Sequence, residues 1–229
     1  VLELYWDMLD DKFEMKQANS FFEVLNDDNV KKEYIKEVFP INEKVKYSIL
    51  PIRYQQDYFA YEADEIGKNI ESRYGVSKPK AETNGTEYYL SKGYTYCDTV
   101  IPDSELDETN QFKGFDGSDW EPDDTQLKYI NKIAELCKEN DIEFVAVTTP
   151  IPINTLKDYS DSYNAAWKYF GQFFEEQGVE YLNFNTQYFK AFTHDLKAYT
   201  DYDGHMNGDA AKEYSEVLAQ VLESAGQRK

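Results

Sequence analysis

Amphipathic helical spacing alternates with short apolar runs in the second half of the chain. From Asp124 onward, apolar residues recur every three or four positions, which predicts a helix with Asp124 as its cap. Similar spacing predicts helices over 161–177, with Gly178 as the C-cap, and over 208–225. Two apolar runs typical of buried strands lie between these helices, 143–148 (EFVAVT) and 179–184 (VEYLNF).

This order of helix, strand, helix, strand and helix predicts an α/β fold. Crossovers of this length join parallel strands and place helices on both faces of the sheet. Residues 1–6 are typical of a further buried strand, so we expect 1–6, 143–148 and 179–184 to be parallel and close together. The predicted fold class is three-layer α/β/α with a mainly parallel, flavodoxin-like sheet, in a single domain over 1–229.

The first half of the chain is less regular. Residues 26–39 predict a helix with Asp27 or Asp28 as the N-cap, and Pro40 ends it. Residues 45–61 predict a second helix after Pro51. Residues 78–123 are rich in Asp, Gly, Thr and Tyr and indicate an irregular insertion with short strands. An insertion of this length is either functional or strand-bearing.

Composition narrows the range of partners. The net charge of −20 disfavours nucleic acid and anionic lipid, because too few cations are present to neutralise phosphates. A cationic or neutral partner is compatible with this charge. The alternative is that the charge serves only to keep the protein soluble. Cys97 and Cys137 are too few for a disulfide framework, and no Cys/His cluster indicates zinc.

The stretch 201–207, DYDGHMN, contains one of only two histidines in the chain. It precedes a predicted helix with Asn207 as a good N-cap, and it would lie at the carboxyl edge of the sheet, where ligands gather. A carboxylate a few residues before a histidine can orient its ring, and Asp201 and Asp203 are both candidates. The alternative is a solvated turn with no chemistry. The other histidine, His194, is predicted to be a surface residue.

The block DYDGHMNGDAAKEYSEVLAQVL resembles the last block of the SGNH hydrolase superfamily. It is most similar to a bacterial cell-envelope branch that contains DltD-like and alginate O-acetylation-like proteins. Weaker similarities run nearly end to end, in VLELYWDML, LPIRYQQDY, FKGFD, FVAVTTPIP and VEYLNFN. Two positions depart from the family: Tyr202 stands where Asp-x-x-His spacing would have the acid, and Gln55 stands where the family has a histidine.

The resemblance implies a serine–histidine–aspartate mechanism. His205 would be the general base, Asp203 or Asp201 its orienting acid, and Thr149, Pro150 and Asn207 would contact the substrate. The family's serine belongs to a Gly-Asp-Ser-type block upstream of any residue here, so we expect an N-terminally incomplete domain whose nucleophile is outside this chain. Ser118, in GFDGSDW, is superficially similar to that block but is interpreted as a loop serine.

The function that the resemblance implies is acyl transfer, by an esterase or O-acyltransferase, on a bacterial envelope glycan or polymer. It also implies an extracytoplasmic location, a membrane acyltransferase as donor partner, and neither a metal nor an organic cofactor. The alternative is a non-catalytic carbohydrate-binding or assembly module with a degenerate SGNH fold. In that module, aromatic side chains of the insertion would stack on sugars: Tyr88, Tyr89, Tyr94, Tyr96 and Trp120.

Overall fold

The computed structural model describes residues 1–5, 18, 21–22, 24–49, 86–91, 94–102 and 122–226. In chain order the elements are β1 (Leu2–Glu3), α1 (Asp28–Val38), α2 (Ile41–Ser48), β2 (Glu87–Ser91), β3 (Tyr94–Cys97), α3 (Asp124–Glu139), β4 (Val145–Thr148), α4 (Ile153–Gln177), β5 (Glu180–Asn183), a 3₁₀ turn (Leu196–Ala198) and α5 (Gly208–Gly226). The structure does not describe Gln55, Ser118 or Trp120, and the helix predicted after Pro51 also lies outside the described residues.

The chain divides into two compact units. One comprises Val1–Asp11 and Ala81–Lys229, and the other comprises Lys12–Lys80. The expectation of a single domain over the whole chain stays a prediction. The candidate site lies entirely in the first of these units.

A parallel sheet forms the centre of the larger unit. Its strand order is β1-β4-β5, with Leu2 opposite Ala146 and Val147 opposite Leu182. The parallel pairing of the three strands predicted from the apolar runs is therefore confirmed. Each strand is shorter than its apolar run, because the ladder pairs only two residues of β1 and four each of β4 and β5.

Successive residues of β4 enter different hydrophobic clusters. Val145 and Val147 pack with Leu182, Phe184 and residues of α5, including Tyr214. The cluster around Ala146 is different, since its other members come chiefly from α4: Leu156, Tyr163, Ala166, Trp167, Phe170 and Phe174. Side chains alternate across a strand, so the two clusters lie on opposite sides of β4. The α/β class and the mainly parallel sheet are thus established.

Helices α3 and α4 differ from the predictions at their N-termini, whereas α5 begins at Gly208 as predicted. The side chain that caps α3 is Asp123, which accepts a hydrogen bond from the backbone of Gln126 at 3.0 Å, and Asp124 is the first helical residue. Helix α4 begins directly after Pro152, eight residues earlier than predicted, and Tyr159 has non-helical angles at a kink. The C-cap is Gly178 as predicted, in the left-handed conformation at φ 64°.

Part of the 78–123 insertion is an antiparallel hairpin. Strands β2 and β3 pair Tyr88 with Tyr96 and Tyr89 with Thr95, and a bulge follows Tyr89. The prediction of short strands in this insertion is confirmed for the described part. The hairpin contacts the first turn of α5, where the Tyr96 ring lies so close to Gly208 that a Cβ would collide with it.

The smaller unit contains α1 and α2. Asp27 is the N-cap of α1 and accepts hydrogen bonds from the backbone of Asn29 and Val30, so one of the two predicted caps is identified. The described residues include a small cluster of four buried apolar side chains: Ala18, Phe22, Phe39 and Tyr47. Pro40 separates the two helices, since α1 ends at Val38 and α2 begins at Ile41.

Candidate functional site

A closed loop presents His205 at the start of α5. Tyr199 and Met206 form an antiparallel bridge, and the backbone N–H of Thr200 donates to the carbonyl of His205 at 2.8 Å. The loop is joined to α4 as well, because the buried Thr155 hydroxyl donates to the carbonyl of Tyr202 at 2.7 Å. These bonds fix both ends and the middle of residues 200–205.

Asp201 organises the interior of this loop. Its Oδ1 accepts hydrogen bonds from the backbone N–H groups of Asp203, Gly204 and His205, at 3.0, 3.2 and 3.2 Å. Gly204 has φ +106°, a conformation that L side chains rarely adopt, and a Cβ there would lie 2.8 Å from Ile151 Cγ2. Glycine at 204 therefore lets the turn close around the carboxylate and pack on Ile151.

The second carboxylate oxygen of Asp201 binds the histidine ring. His205 Nδ1 lies 2.8 Å from Asp201 Oδ2, and because a carboxylate only accepts, Nδ1 is the nitrogen that carries the proton and donates. The sequence left Asp201 and Asp203 open as the partner, and the structure identifies Asp201. The carboxylate of Asp203 instead lies 3.5 Å from the Tyr5 hydroxyl. The side chain of His205 is 75% exposed, which leaves Nε2 accessible.

Electrostatics at the pair favour a charged imidazolium. The hydrogen bond to Asp201 raises the pKa of His205, with partial burial opposing the shift, and the charges of Asp203 and Glu3 raise it further. Burial would raise the pKa of Asp201, but the hydrogen bonds from the His205 ring and from the loop backbone lower it below its ordinary value. The Asp201 carboxylate is thus suited to stabilise the charged ring after Nε2 of His205 has taken up a proton.

The loop lies at the carboxyl edge of the sheet, as predicted. Glu3 ends β1 and Thr149 follows β4, and the Thr149 hydroxyl donates to Glu3 Oε1 at 2.7 Å. Glu3 also acts electrostatically on His205, and Gly204 packs on Ile151. The ends of two parallel strands and the His205 loop therefore meet in one place.

The three residues predicted to contact substrate differ in exposure. Thr149 is half-buried, whereas Pro150 is fully buried. Asn207 is 8% exposed and caps α5, with Oδ1 accepting from the backbone of Ala210 at 3.0 Å and Nδ2 donating to the carbonyl of Lys197 at 2.8 Å. The N-cap prediction for Asn207 is confirmed, and substrate contact by these three residues stays a prediction.

The prediction that His194 is a surface residue is wrong. Its side chain is 7% exposed and stacks on Phe189, with ring centroids 4.2 Å apart. Nδ1 lies 2.7 Å from the carbonyl oxygen of Ile151, and Nε2 lies 3.2 Å from that of Phe189. A polar ring is buried here because a backbone carbonyl accepts from its one N–H, and the nearer of the two carbonyls belongs to the segment that supports Gly204.

Sequence reasoning also missed Asn185, which positions the segment after β4. Its Oδ1 accepts from the backbone of Ile151 at 2.9 Å, and its Nδ2 donates to the carbonyl of Thr149 at 2.8 Å. The signal was available, since Asn185 follows directly on the run VEYLNF at the edge where loops converge. A buried amide at such an edge has to find backbone partners.

Three side chains of the loop could together hold a cation. Asp201, Asp203 and His205 each offer one ligand atom, and these atoms lie within 4.8 Å of one another. Both oxygens of Asp201 already accept hydrogen bonds, however, so a cation would compete with the bonds that shape the loop. The geometry fits acid–base chemistry better than metal binding.

Comparison with known proteins found no match. No family model matches the chain, and neither a curated protein nor a solved structure does. The resemblance to SGNH hydrolases therefore stays a prediction. No helix within the described ranges is long and apolar enough to cross a membrane.

Proposed function

We propose that this chain carries the acid–base half of an SGNH-like acyl-transfer site, in an esterase or O-acyltransferase. The observation that supports this most directly is the 2.8 Å hydrogen bond from His205 Nδ1 to Asp201 at the carboxyl edge of a parallel sheet. The fold proposed with it is three-layer α/β/α. Its location is extracytoplasmic, and its substrate is a bacterial envelope glycan or polymer with a membrane acyltransferase as donor partner.

In this mechanism Nε2 of His205 takes the proton of a serine hydroxyl as the serine oxygen attacks the acyl carbon. The imidazolium then gives that proton to the leaving alcohol, and the acyl group stays on the serine as an ester. Water or an acceptor hydroxyl, activated by the same nitrogen, takes the acyl group and frees the serine. General acid–base catalysis of this kind contributes about 10²- to 10⁴-fold in rate.

Asp201 holds the ring in the form that this cycle requires. Because Nδ1 donates to Oδ2, the lone pair of the neutral ring is on Nε2. Oδ1 is bound to three backbone N–H groups, so the carboxylate cannot rotate away when the ring becomes charged. We assign the nucleophile to a serine outside this chain.

A second candidate function is a non-catalytic envelope binding module. Tyr88, Tyr89 and Tyr94 of the hairpin are 38%, 45% and 42% exposed, which offers ring faces to a sugar. In that case His205 would bind or orient a ligand without forming an acyl-enzyme. The two functions differ in whether turnover depends on His205.

The test compares this chain with the complete gene product that contains it, on p-nitrophenyl acetate and on an acetylated glycan. We expect no turnover by residues 1–229 alone. We expect turnover by the complete gene product, lowered about 10²- to 10⁴-fold in His205→Gln. Turnover by the complete product that His205→Gln leaves unchanged would overturn the proposal. A complete product that binds glycan without turnover would favour the binding module.

The same assay tests the assignment of the nucleophile. Turnover by residues 1–229 that disappears in His205→Gln would contradict a serine outside the chain. Ser118→Ala would then be the next variant, because Ser118 follows a Gly-rich stretch similar to the family's serine block.

A further inference from the structure

A buried hydroxyl of α4 binds the loop that carries His205. Thr155 is the third residue of α4 and is 0% exposed, and its hydroxyl donates to the carbonyl of Tyr202 at 2.7 Å. A hydroxyl that is buried without a hydrogen bond costs free energy, and a valine at this position would carry no such cost. The bond to the loop therefore accounts for a polar side chain at this buried position.

The peptide that Thr155 holds also binds Asp201. The carbonyl of Tyr202 and the N–H of Asp203 belong to one planar peptide unit, so they point in opposite directions and turn together. The Asp203 N–H donates to Asp201 Oδ1 at 3.0 Å, which is the shortest of the three backbone bonds to that oxygen. Fixing the carbonyl of this peptide from α4 thus also fixes the N–H that holds the carboxylate.

These bonds form one chain from the core to the histidine ring. Thr155 donates to the 202–203 peptide, that peptide donates to Asp201 Oδ1, and Asp201 Oδ2 accepts from His205 Nδ1 at 2.8 Å. Successive hydrogen bonds polarise one another, by about 10–30% per bond. An N–H that donates to a carboxylate favours its charged form, and a charged carboxylate favours the charged form of a histidine beside it. The chain thus connects a core hydroxyl to the charge of the ring.

We infer that Thr155 is a positioning residue for the proposed acid–base reaction. Its hydroxyl orients the 202–203 peptide, and that peptide holds the Asp201 carboxylate in place against the His205 ring. The inference rests on the proposed function, because the reaction that Thr155 supports is the proton transfer assigned to His205. Thr155 is buried and acts through Asp201, so its effect should fall on kcat rather than on KM.

The first experiment measures the titration of His205 by NMR in residues 1–229 and needs no turnover. Thr155→Val keeps the branched shape of the side chain and removes the hydroxyl. The midpoint of His205 should fall to a value between those of the wild type and Asp201→Asn. Thr155→Ser keeps the hydroxyl and should restore the wild-type midpoint. Thr148→Val is the matched control and should leave the midpoint unchanged, because it removes another buried hydroxyl, whose 2.7 Å bond is to the hydroxyl of Tyr181.

The second experiment measures turnover by the complete gene product. Thr155→Val should lower kcat about two- to tenfold, which is the effect of one hydrogen bond, with KM little changed. The base has to be neutral to act, so a lower pKa of His205 should also move the acidic limb of the pH profile of kcat/KM to lower pH. Thr155→Ser should restore both kcat and the pH profile. A purely structural role of Thr155 would leave the acidic limb where it is.

Three results would overturn the inference. They are a midpoint and a pH profile that Thr155→Val leaves unchanged, an equal fall of the midpoint in Thr148→Val, and no recovery in Thr155→Ser. If Thr155→Val does not fold, hydrogen exchange of the wild type is the test. The Asp203 N–H should then be better protected than the Gly204 N–H, because its peptide is held at both ends, and equal protection would also overturn the inference.

The two experiments separate this inference from the proposed function. A midpoint of His205 that depends on Thr155, in a complete gene product without turnover, would contradict the proposed function alone. Turnover that depends on His205 but not on Thr155 would contradict this inference alone.

Discussion

The two histidines of this chain sit in opposite environments. His205 is an exposed ring held at one nitrogen by a carboxylate, and its other nitrogen is accessible. His194 is a buried ring stacked on Phe189, with both nitrogens near backbone carbonyls. Only the first arrangement lets a proton enter and leave, so only His205 is suited to catalysis. His194 holds the segment that the His205 loop packs against.

An aspartate nearby in the sequence does not distinguish the role of His205 from that of His194, because both histidines have one. His194 has Asp195 beside it, but that carboxylate caps the 3₁₀ turn by accepting from the backbone of Lys197 at 2.9 Å. Asp201 is four residues from His205 and reaches its ring because the loop curls around the carboxylate. What decides the role of a histidine here is the backbone between acid and ring.

The largest effect we expect is on turnover, from the acid that orients His205. Asp201→Asn should lower kcat of the complete gene product about 10²- to 10⁴-fold, because an amide no longer stabilises the charged ring. Asp203→Asn is the matched control in the same loop and should change kcat far less, since the ring hydrogen bond goes to Asp201 while Asp203 raises the pKa of His205 through its charge. Equal losses in the two variants, measured by steady-state kinetics, would contradict the assignment of Asp201.

His194 should instead show its importance in stability. His194→Leu removes the buried ring N–H that the carbonyl of Ile151 or Phe189 accepts, which should lower the free energy of unfolding by about 2–4 kcal/mol. His205→Leu is the control and should cost less than about 1 kcal/mol, because that ring is exposed. Urea unfolding of the two variants measures the difference. A larger loss in His205→Leu would reverse the roles that we assign.

Part of the fold and part of the difference between the two histidines could be predicted from the sequence. The helices and parallel strands follow from local spacing of apolar residues, and Asn207 was predicted as a cap from its place before a helix. The burial of His194 was not accessible, because its acceptor Ile151 is 43 residues away in the chain. The choice of Asp201 over Asp203 was not accessible either, since it depends on the turn conformation at Gly204. Pairings made by loops are tertiary, and periodicity carries no information on them.

Gly204 connects the His205 loop with the surroundings of His194 through Ile151. The carbonyl of Ile151 lies 2.7 Å from His194 Nδ1, and its side chain contacts Gly204. Gly204→Ala should destabilise the fold by about 1–3 kcal/mol, from the positive φ and the 2.8 Å approach to Ile151. Gly178→Ala is the control: it has a positive φ of +64° but nothing within 4 Å, so it should cost less. Thermal unfolding compares them, and a larger loss at Gly178 would show that the contact with Ile151 is unimportant.

The smallest effect we expect is a pH dependence of stability at the His205–Asp201 pair. The pKa of His205 is raised, so its contribution is complete below the ordinary value of 6.5 and is lost as pH rises through the raised value. The pKa of Asp201 is lowered, so its contribution is complete above 3.8 and is lost as pH falls through the lowered value. The pair should therefore stabilise the fold most between these two ordinary values.

Urea unfolding of the wild type and His205→Gln across this pH range measures that contribution. The difference should peak at about pH 5, by no more than about 1 kcal/mol because solvent screens an exposed pair, and should shrink toward alkaline pH. Proton NMR gives a second reading: the resonance of His205, assigned by its loss in His205→Gln, should titrate with a midpoint above 6.5 that falls in Asp201→Asn. A midpoint at or below 6.5 in the wild type would mean that Asp201 does not stabilise the imidazolium. The acid–base role of His205 would then lose its electrostatic basis, while the structural role of His194 would be unaffected.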